Sequence, residues 1–170
     1  TRLLALDAKL SKTLRVAENP GLLRSLAAFL AHSGDSWFWL IGLTLVWVVG
    51  DDFWKARAIV LGLGIMVTAA LVMGIKFTVR RQRPLGDWGD IYRKTDPHSF
   101  PSGHAARAAM LAVLSAGLGP GWFGALLLVW APLVAFARVI MGVHFVLDVM
   151  AGVLFGIGMG GAILFFYSLW

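Results

Sequence analysis

Cysteine is absent from this 170-residue chain, which excludes disulfides, thiolate nucleophiles and Cys-based metal sites. Charge is scarce: 14% of residues are Asp, Glu, Lys or Arg, against roughly a quarter in a soluble domain. Acidic residues are the scarcer sign, 9 against 15 basic, leaving a net charge of +6. Those cations sit at the ends of apolar runs and in short loops. They form no basic stripe, so nucleic acid is not the partner they fit. Anionic lipid head groups or a phosphorylated substrate suit them better. Repeats and low-complexity tracts are missing as well, and residues 80–102 are the only long polar stretch.

What remains is greasy. Hydrophobic residues make up 59% of the chain and its mean hydropathy is +0.79, the composition of a polytopic membrane protein. One domain over residues 1–170 is expected. Thr1 in place of a start Met suggests a trimmed chain, with no signal-peptide pattern to set aside.

The expected fold class is all-α: a membrane helix bundle of about six transmembrane helices behind an N-terminal amphipathic interfacial helix. Leu3, Leu6, Leu10 and Leu14 recur at helical spacing, with Lys9, Lys12 and Arg15 elsewhere on the helix. Asn19-Pro20-Gly21 ends that segment, and residues 21–32 form a short apolar run that joins it in a bent first span. Further apolar runs cover residues 36–50, 57–79, 103–118, 121–141 and 145–170. Trp37, Trp39, Trp54, Trp122 and Trp170 fall near predicted span ends, as an interfacial belt would place them. Gly152, Gly156 and Gly160, followed by Gly161, form a stripe that lets helices approach closely.

Alternating spans bring residues 33–35, 80–102 and 138–144 to one membrane face. Residues 51–56, the 118–121 turn and both chain ends go to the other. Three polar clusters collect on the first face. In "KFTVRRQRP", Lys76 and Arg83 are about two turns apart, on one side of a helix end that Pro84 terminates. Arg80 and Arg81 between them read as head-group anchors. In "PSGH", Ser102 is a natural helix N-cap, and Gly103 lets an anion approach the free N–H groups and positive dipole end. In "RVIMGVHFVLD", His144 and Asp148 share a helix face. The carboxylate can fix one imidazole nitrogen and leave the other free to act. Ionisable groups this close together in hydrocarbon-facing sequence are costly and usually functional.

In order and spacing these clusters resemble the signature of the type 2 phosphatidic acid phosphatase superfamily: K-x6-R-P, P-S-G-H and S-R-x5-H-x3-D. One position departs, Ala137 standing where the family has Ser. The resemblance implies that His144 is the nucleophile, forming a phosphohistidine, and that Asp148 orients it. His104 would be the general acid and then the base that activates water. Lys76, Arg83 and Arg138, with Ser102 and Gly103, would hold the phosphoryl oxygens. Three fixed cations can stabilise phosphoryl transfer without a metal, so no cofactor and no metal are expected.

Other residues keep open readings. Arg107, one turn beyond His104, could pair with a carboxylate, contact a substrate head group or snorkel. His98 reads as a loop residue near the mouth and Asp35 as a helix cap. Asp87, Asp90 and Asp96 are scattered along a loop and do not look like a metal site; a structural or substrate-gating role is the lesser reading. A site at span ends predicts an amphiphilic substrate: phosphatidic acid, phosphatidylglycerol phosphate, a polyprenyl (pyro)phosphate or a phosphorylated lipid A. Membrane lipids are then the other partners. Transfer to a second lipid would use the same motifs. The soluble vanadium-dependent haloperoxidases share the cradle but not this hydropathy. An anion transporter would spread its charges near the midplane instead of collecting them at one end. Arg2, Lys9, Lys12, Arg15, Arg24, Lys55 and Arg57, counted on the far face, make it the cytoplasmic one. The site then faces outward from a bacterial inner membrane.

Overall fold

The structure is a computed structural model that describes residues 2–86, 88 and 96–169; Asp87, Asp90 and Trp170 lie outside them. The described helices are α1 (Arg2–Thr13), α2 (Leu22–Ser33), α3 (Ser36–Val49), α4 (Asp52–Val79), α5 (Gly103–Leu118), α6 (Gly121–Ile140) and α7 (Val146–Tyr167). The fold is all-helical, as expected. Among the described residues α4, α6 and α7 are long and apolar enough to cross a membrane, while α3 is apolar but only 14 residues long.

Helix α5 is the hub, packed against α7, α6 and α4. Ala105 through Ala112 are all buried, the pattern of a helix enclosed on every side. Its 16 residues rise about 24 Å, less than the roughly 30 Å hydrocarbon layer, and protein surrounds it in place of lipid. The glycine stripe of α7 explains the close fit. A Cβ on Gly152 would lie 2.5 Å from the Ser102 carbonyl oxygen, and one on Gly160 2.7 Å from Val113. At Gly156 it would fall inside the Ala106 carbonyl. The aromatic belt holds for Trp37 and Trp122, both exposed at helix starts. Trp39 turns inward instead, its ring 5.1 Å from that of Trp130 and its Nε1–H donating to Ser33.

The starts of α3, α5 and α7 and the ends of α4 and α6 meet on one side. The 50–51 turn and the 118–121 turn share the other, where Arg57 donates to the Leu118 carbonyl. The expected placement of the N-terminus on that far side is overturned. Asp7 accepts from the Leu147 N–H at 3.0 Å, Ser11 from the Val146 N–H at 3.0 Å, and Ala17 N–H donates to Ile140. Arg15 reaches the Leu85 carbonyl at 2.7 Å, and Arg24 lies over the Trp88 ring. Residues 2–24 therefore belong to the motif side. Their cations move with them, and of the seven assigned to the far face only Lys55 and Arg57 stay there.

Helix α1 is also inside out relative to a soluble amphipathic helix. Asp7 and Ser11 are its buried residues, while Leu3, Leu4, Leu6 and Leu10 are exposed. The N-terminus of α7 supplies unpaired N–H groups that need acceptors, and Asp7 and Ser11 provide them.

Candidate active site

A cavity of about 460 Å³ opens among α3, α4, α5 and the α6–α7 turn. Lys76, Asp96, Gly103, His104, Arg107, His144 and Asp35 all line it. The three sequence clusters, spread over more than seventy residues, converge here.

Helix α4 ends at Val79, where Arg80 adopts a left-handed cap (φ 52°), five residues before Pro84. Arg83 thus lies beyond the helix, not on its face with Lys76. A single bridge between Gln82 and His98 folds the chain back so that the two cations still meet. Their meeting point is Asp96: its Oδ2 pairs with Lys76 Nζ and lies 2.7 Å from Arg83 Nη2. His98, read as a mouth residue, supplies a carbonyl to Lys76 at 3.0 Å.

Arg83 Nη1 also donates to the Val143 carbonyl at 3.0 Å and to His144 Nε2 at 3.1 Å. His144 sits in the turn before α7, not on the helix, because Gly142 at φ 69° takes the chain through a conformation most side chains resist. Asp148, on the first turn of α7, spends Oδ2 on the Phe145 N–H at 2.9 Å and lies 3.7 Å from His144 Nδ1. Burial, followed by the charges of Arg83, Arg138 and Lys76, pushes the His144 imidazole well below its ordinary value of 6.5. Its neutral form is thereby favoured. Arg138 is fully buried. Ala137, the departure from the family pattern, is buried against α2 with Ala27 and Ala31.

Ser102 occupies the N-cap position of α5 without capping it by its side chain. Its N–H donates to the Asp148 carbonyl at 2.9 Å, which ties the start of α5 to α7. The Ser102 hydroxyl is buried and has no hydrogen-bond partner among the described residues.

Two arrangements were not anticipated. Arg81 is no head-group anchor: it pairs with Asp148 at 2.7 Å and Asp7 at 2.6 Å. Asp35 stands at the N-cap of α3 but makes no side-chain cap. Its Oδ1 lies 2.6 Å from His104 Nε2, and its Oδ2 takes His32 Nδ1 at 3.0 Å and Trp37 Nε1 at 3.3 Å. Burial raises the Asp35 carboxyl, but the hydrogen bonds and charges of His104 and His32 outweigh it and hold it below the usual carboxylate range. The sequence signal was "HSGD" itself, a carboxylate on the motif side with no obligatory capping partner. Arg107, buried, donates to the Gly34 carbonyl at 2.8 Å and to the Ser36 hydroxyl.

Residues 57–169 match the family model of the PAP2 superfamily. The chain belongs to that family. It is 33% identical over 139 residues to an undecaprenyl-diphosphatase of Sulfolobus acidocaldarius, covering 79% of this chain and 66% of that protein. It is 34% identical to a decaprenylphosphoryl-5-phosphoribose phosphatase of Mycobacterium tuberculosis, covering 87% of this chain and 82% of that protein. The fold matches a PAP2-type phosphatidylglycerolphosphate phosphatase from Bacillus subtilis, with TM-score 0.79 and 23% identity over 99% of this chain and 88% of that one. Aquifex aeolicus LpxE matches with TM-score 0.72 and 28% identity, over 92% and 93% of the two chains. This PAP2 chain is an integral membrane protein: its helices are apolar and its structural neighbours are membrane-integral phosphatases.

Proposed function

We propose that this PAP2 chain is one membrane-integral domain, residues 1–170, that hydrolyses a phosphomonoester or pyrophosphate of a polyprenyl-type lipid. The observation that carries the reading is the convergence of Lys76, Arg83 and Arg138 on a buried His144, at a cavity that also holds His104. His144 attacks phosphorus through Nε2 and the bond to the lipid oxygen breaks, leaving a phosphohistidine. Lys76, Arg83 and Arg138 hold the phosphoryl oxygens, with the Ser102 hydroxyl and the Gly103 N–H completing the cradle. Asp148 steadies the His144 ring. Charge from these side chains, not a metal, stabilises the transferring group.

The names of the curated relatives support a prenyl-linked substrate. So does the apolar wall of the cavity, Ala69, Val72 and Met73 of α4 with Trp37 of α3, along which a lipid tail can leave. The exposed leucines of α1 support reading that helix as interfacial, beside a bundle in which the short α3 and α5 are read as further spans. With residues 2–24 on the motif side, the positive-inside rule supports a site on the cytoplasmic face of a cell membrane, opposite to the orientation expected from sequence. Because the chain lacks cysteine, labelling single cysteines at Thr13 and Ser168 with an impermeant maleimide in intact cells reads this directly. Labelling at Ser168 alone agrees, and labelling at Thr13 alone refutes it.

The decisive experiment is phosphate release from a panel of lipid phosphates by purified protein in EDTA, beside His144→Ala and His104→Ala. Wild-type turnover survives EDTA and falls by orders of magnitude in both variants. Ordinary turnover in His144→Ala sinks the mechanism. Activity lost in EDTA and restored by Mg²⁺ sinks the metal-free reading.

A further inference from the structure

The PAP2 signature contains no partner for His104, yet the structure supplies one from a segment outside all three motifs. Asp35 Oδ1 lies 2.6 Å from His104 Nε2, with both side chains less than a fifth exposed. The turn that carries Asp35 is held from behind. Arg107, one helical turn past His104, donates to the Gly34 carbonyl on one side of Asp35 and to the Ser36 hydroxyl on the other. The fit at Gly34 is close, since a Cβ there would lie 2.9 Å from Val134 and 3.5 Å from the His104 ring. Helix α5 thus carries both the histidine and the arginine that fixes its carboxylate.

We propose that Asp35 is the positioning residue of His104, holding the Nε2–H toward the α2–α3 turn so that Nδ1 alone exchanges protons with the substrate. The inference deepens the phosphatase reading and rests on it. As His144 attacks phosphorus and the P–O bond to the lipid breaks, the proton on His104 Nδ1 passes to the departing oxygen. Nδ1 then takes a proton from the water that attacks the phosphohistidine. The N–P bond breaks, inorganic phosphate leaves, and His104 is protonated again. In both steps the Asp35 carboxylate stabilises the imidazolium and keeps the tautomer, as a carboxylate does for a catalytic histidine elsewhere. Other charged groups facing the pair are His32 on α2, Arg107 on α5 and Arg138 on α6, with Lys76, Asp96 and His144 around the cavity. Asp35 is the anion within hydrogen-bonding distance of His104 among the described residues.

The test compares wild type, Asp35→Asn, Asp35→Glu, His104→Ala and His144→Ala on a prenyl phosphate and on p-nitrophenyl phosphate, whose leaving group needs no proton. Asp35→Asn is expected to lower kcat on the prenyl phosphate about 100-fold, with KM little changed, the scale of general acid–base assistance. Its alkaline limb moves to lower pH, because His104 loses the carboxylate that favours its protonated form. The first-turnover burst of p-nitrophenolate stays within a few-fold of wild type, and Asp35→Glu recovers part of kcat. Wild-type kcat in Asp35→Asn alongside an inactive His104→Ala overturns the inference and leaves the phosphatase reading standing. Equal losses on both substrates overturn it too, since they mark a structural role. Turnover that survives His144→Ala overturns the phosphohistidine mechanism, and the inference with it; no phosphate release by wild type overturns the phosphatase reading.

Discussion

Arg81 Nη1 donates to Asp148 Oδ1 across 2.7 Å, so the carboxylate beside His144 is paired with a cation from a variable position of the first motif. Asp148 is fully buried, and an isolated carboxylate there would be expelled or protonated. The other arm of the same guanidinium holds Asp7 of α1, which makes the N-terminal helix part of the wall behind the candidate site.

Arg81→Met is therefore expected to leave two buried carboxylates without their cation. Removing one partner of a buried pair costs about 3–5 kcal/mol, and here kcat should fall as well because Asp148 loses its orientation. Thermal unfolding in detergent and turnover on a lipid phosphate check this. Wild-type values for both would mean that water serves Asp148 as well as Arg81 does.

Asp96 places a carboxylate oxygen between Lys76 and Arg83, where the proposed mechanism needs a phosphoryl oxygen. A substrate must displace it. Asp96→Asn keeps the shape and removes the competing charge, so inorganic phosphate should inhibit this variant about tenfold more tightly, equivalent to roughly 1.4 kcal/mol. Weaker inhibition would show that Asp96 assembles the cradle and does not compete for it.

Gly156 and Gly158 separate packing from propensity. A methyl at Gly156 would collide with the Ala106 backbone, whereas nothing lies within 4 Å of one at Gly158. Gly156→Ala should destabilise by about 1–3 kcal/mol through overpacking, and Gly158→Ala should be neutral or slightly stabilising. Matched unfolding curves for the two would refute the close approach of α5 and α7.

His144 gives a pH-dependent signature. Its folded-state value lies below 6.5, so below that pH the unfolded chain binds the extra proton. The group then opposes folding as the pH falls through about 6.5 and is silent above it. Relative to wild type, His144→Ala should be more heat-resistant at about pH 5.5 than at about pH 8. The same difference at both values would mean that the imidazole stays as basic as in water.

Much of the site was legible because the motif spacings name the chemistry without geometry. Lys76, Arg83, Ser102, His104, Arg138, His144 and Asp148 do come together, although the local reasons differ. His144 and Asp148 meet through a turn, not a helix face, and Arg83 reaches Lys76 through a bridge beyond the helix end. Spacing restricts which residues can be neighbours along one element. It does not say which side chain of another element completes the contact, and for that reason Asp35, Arg81 and Asp96 acquired their partners only in the folded chain.

Helix α1 shows the same division most plainly. Its leucine stripe determined a helix, and composition determined a membrane protein. In water that stripe would face the protein, because burial there removes it from solvent. In the folded chain the leucines stay outside, and Asp7 and Ser11 gain the N–H groups and the arginine they need. The sequence "HSFPSGHAARAAM" likewise determined a helix start with a histidine on its first turn. Only the tertiary structure decided that Arg107 would fix the turn on which that histidine's carboxylate stands.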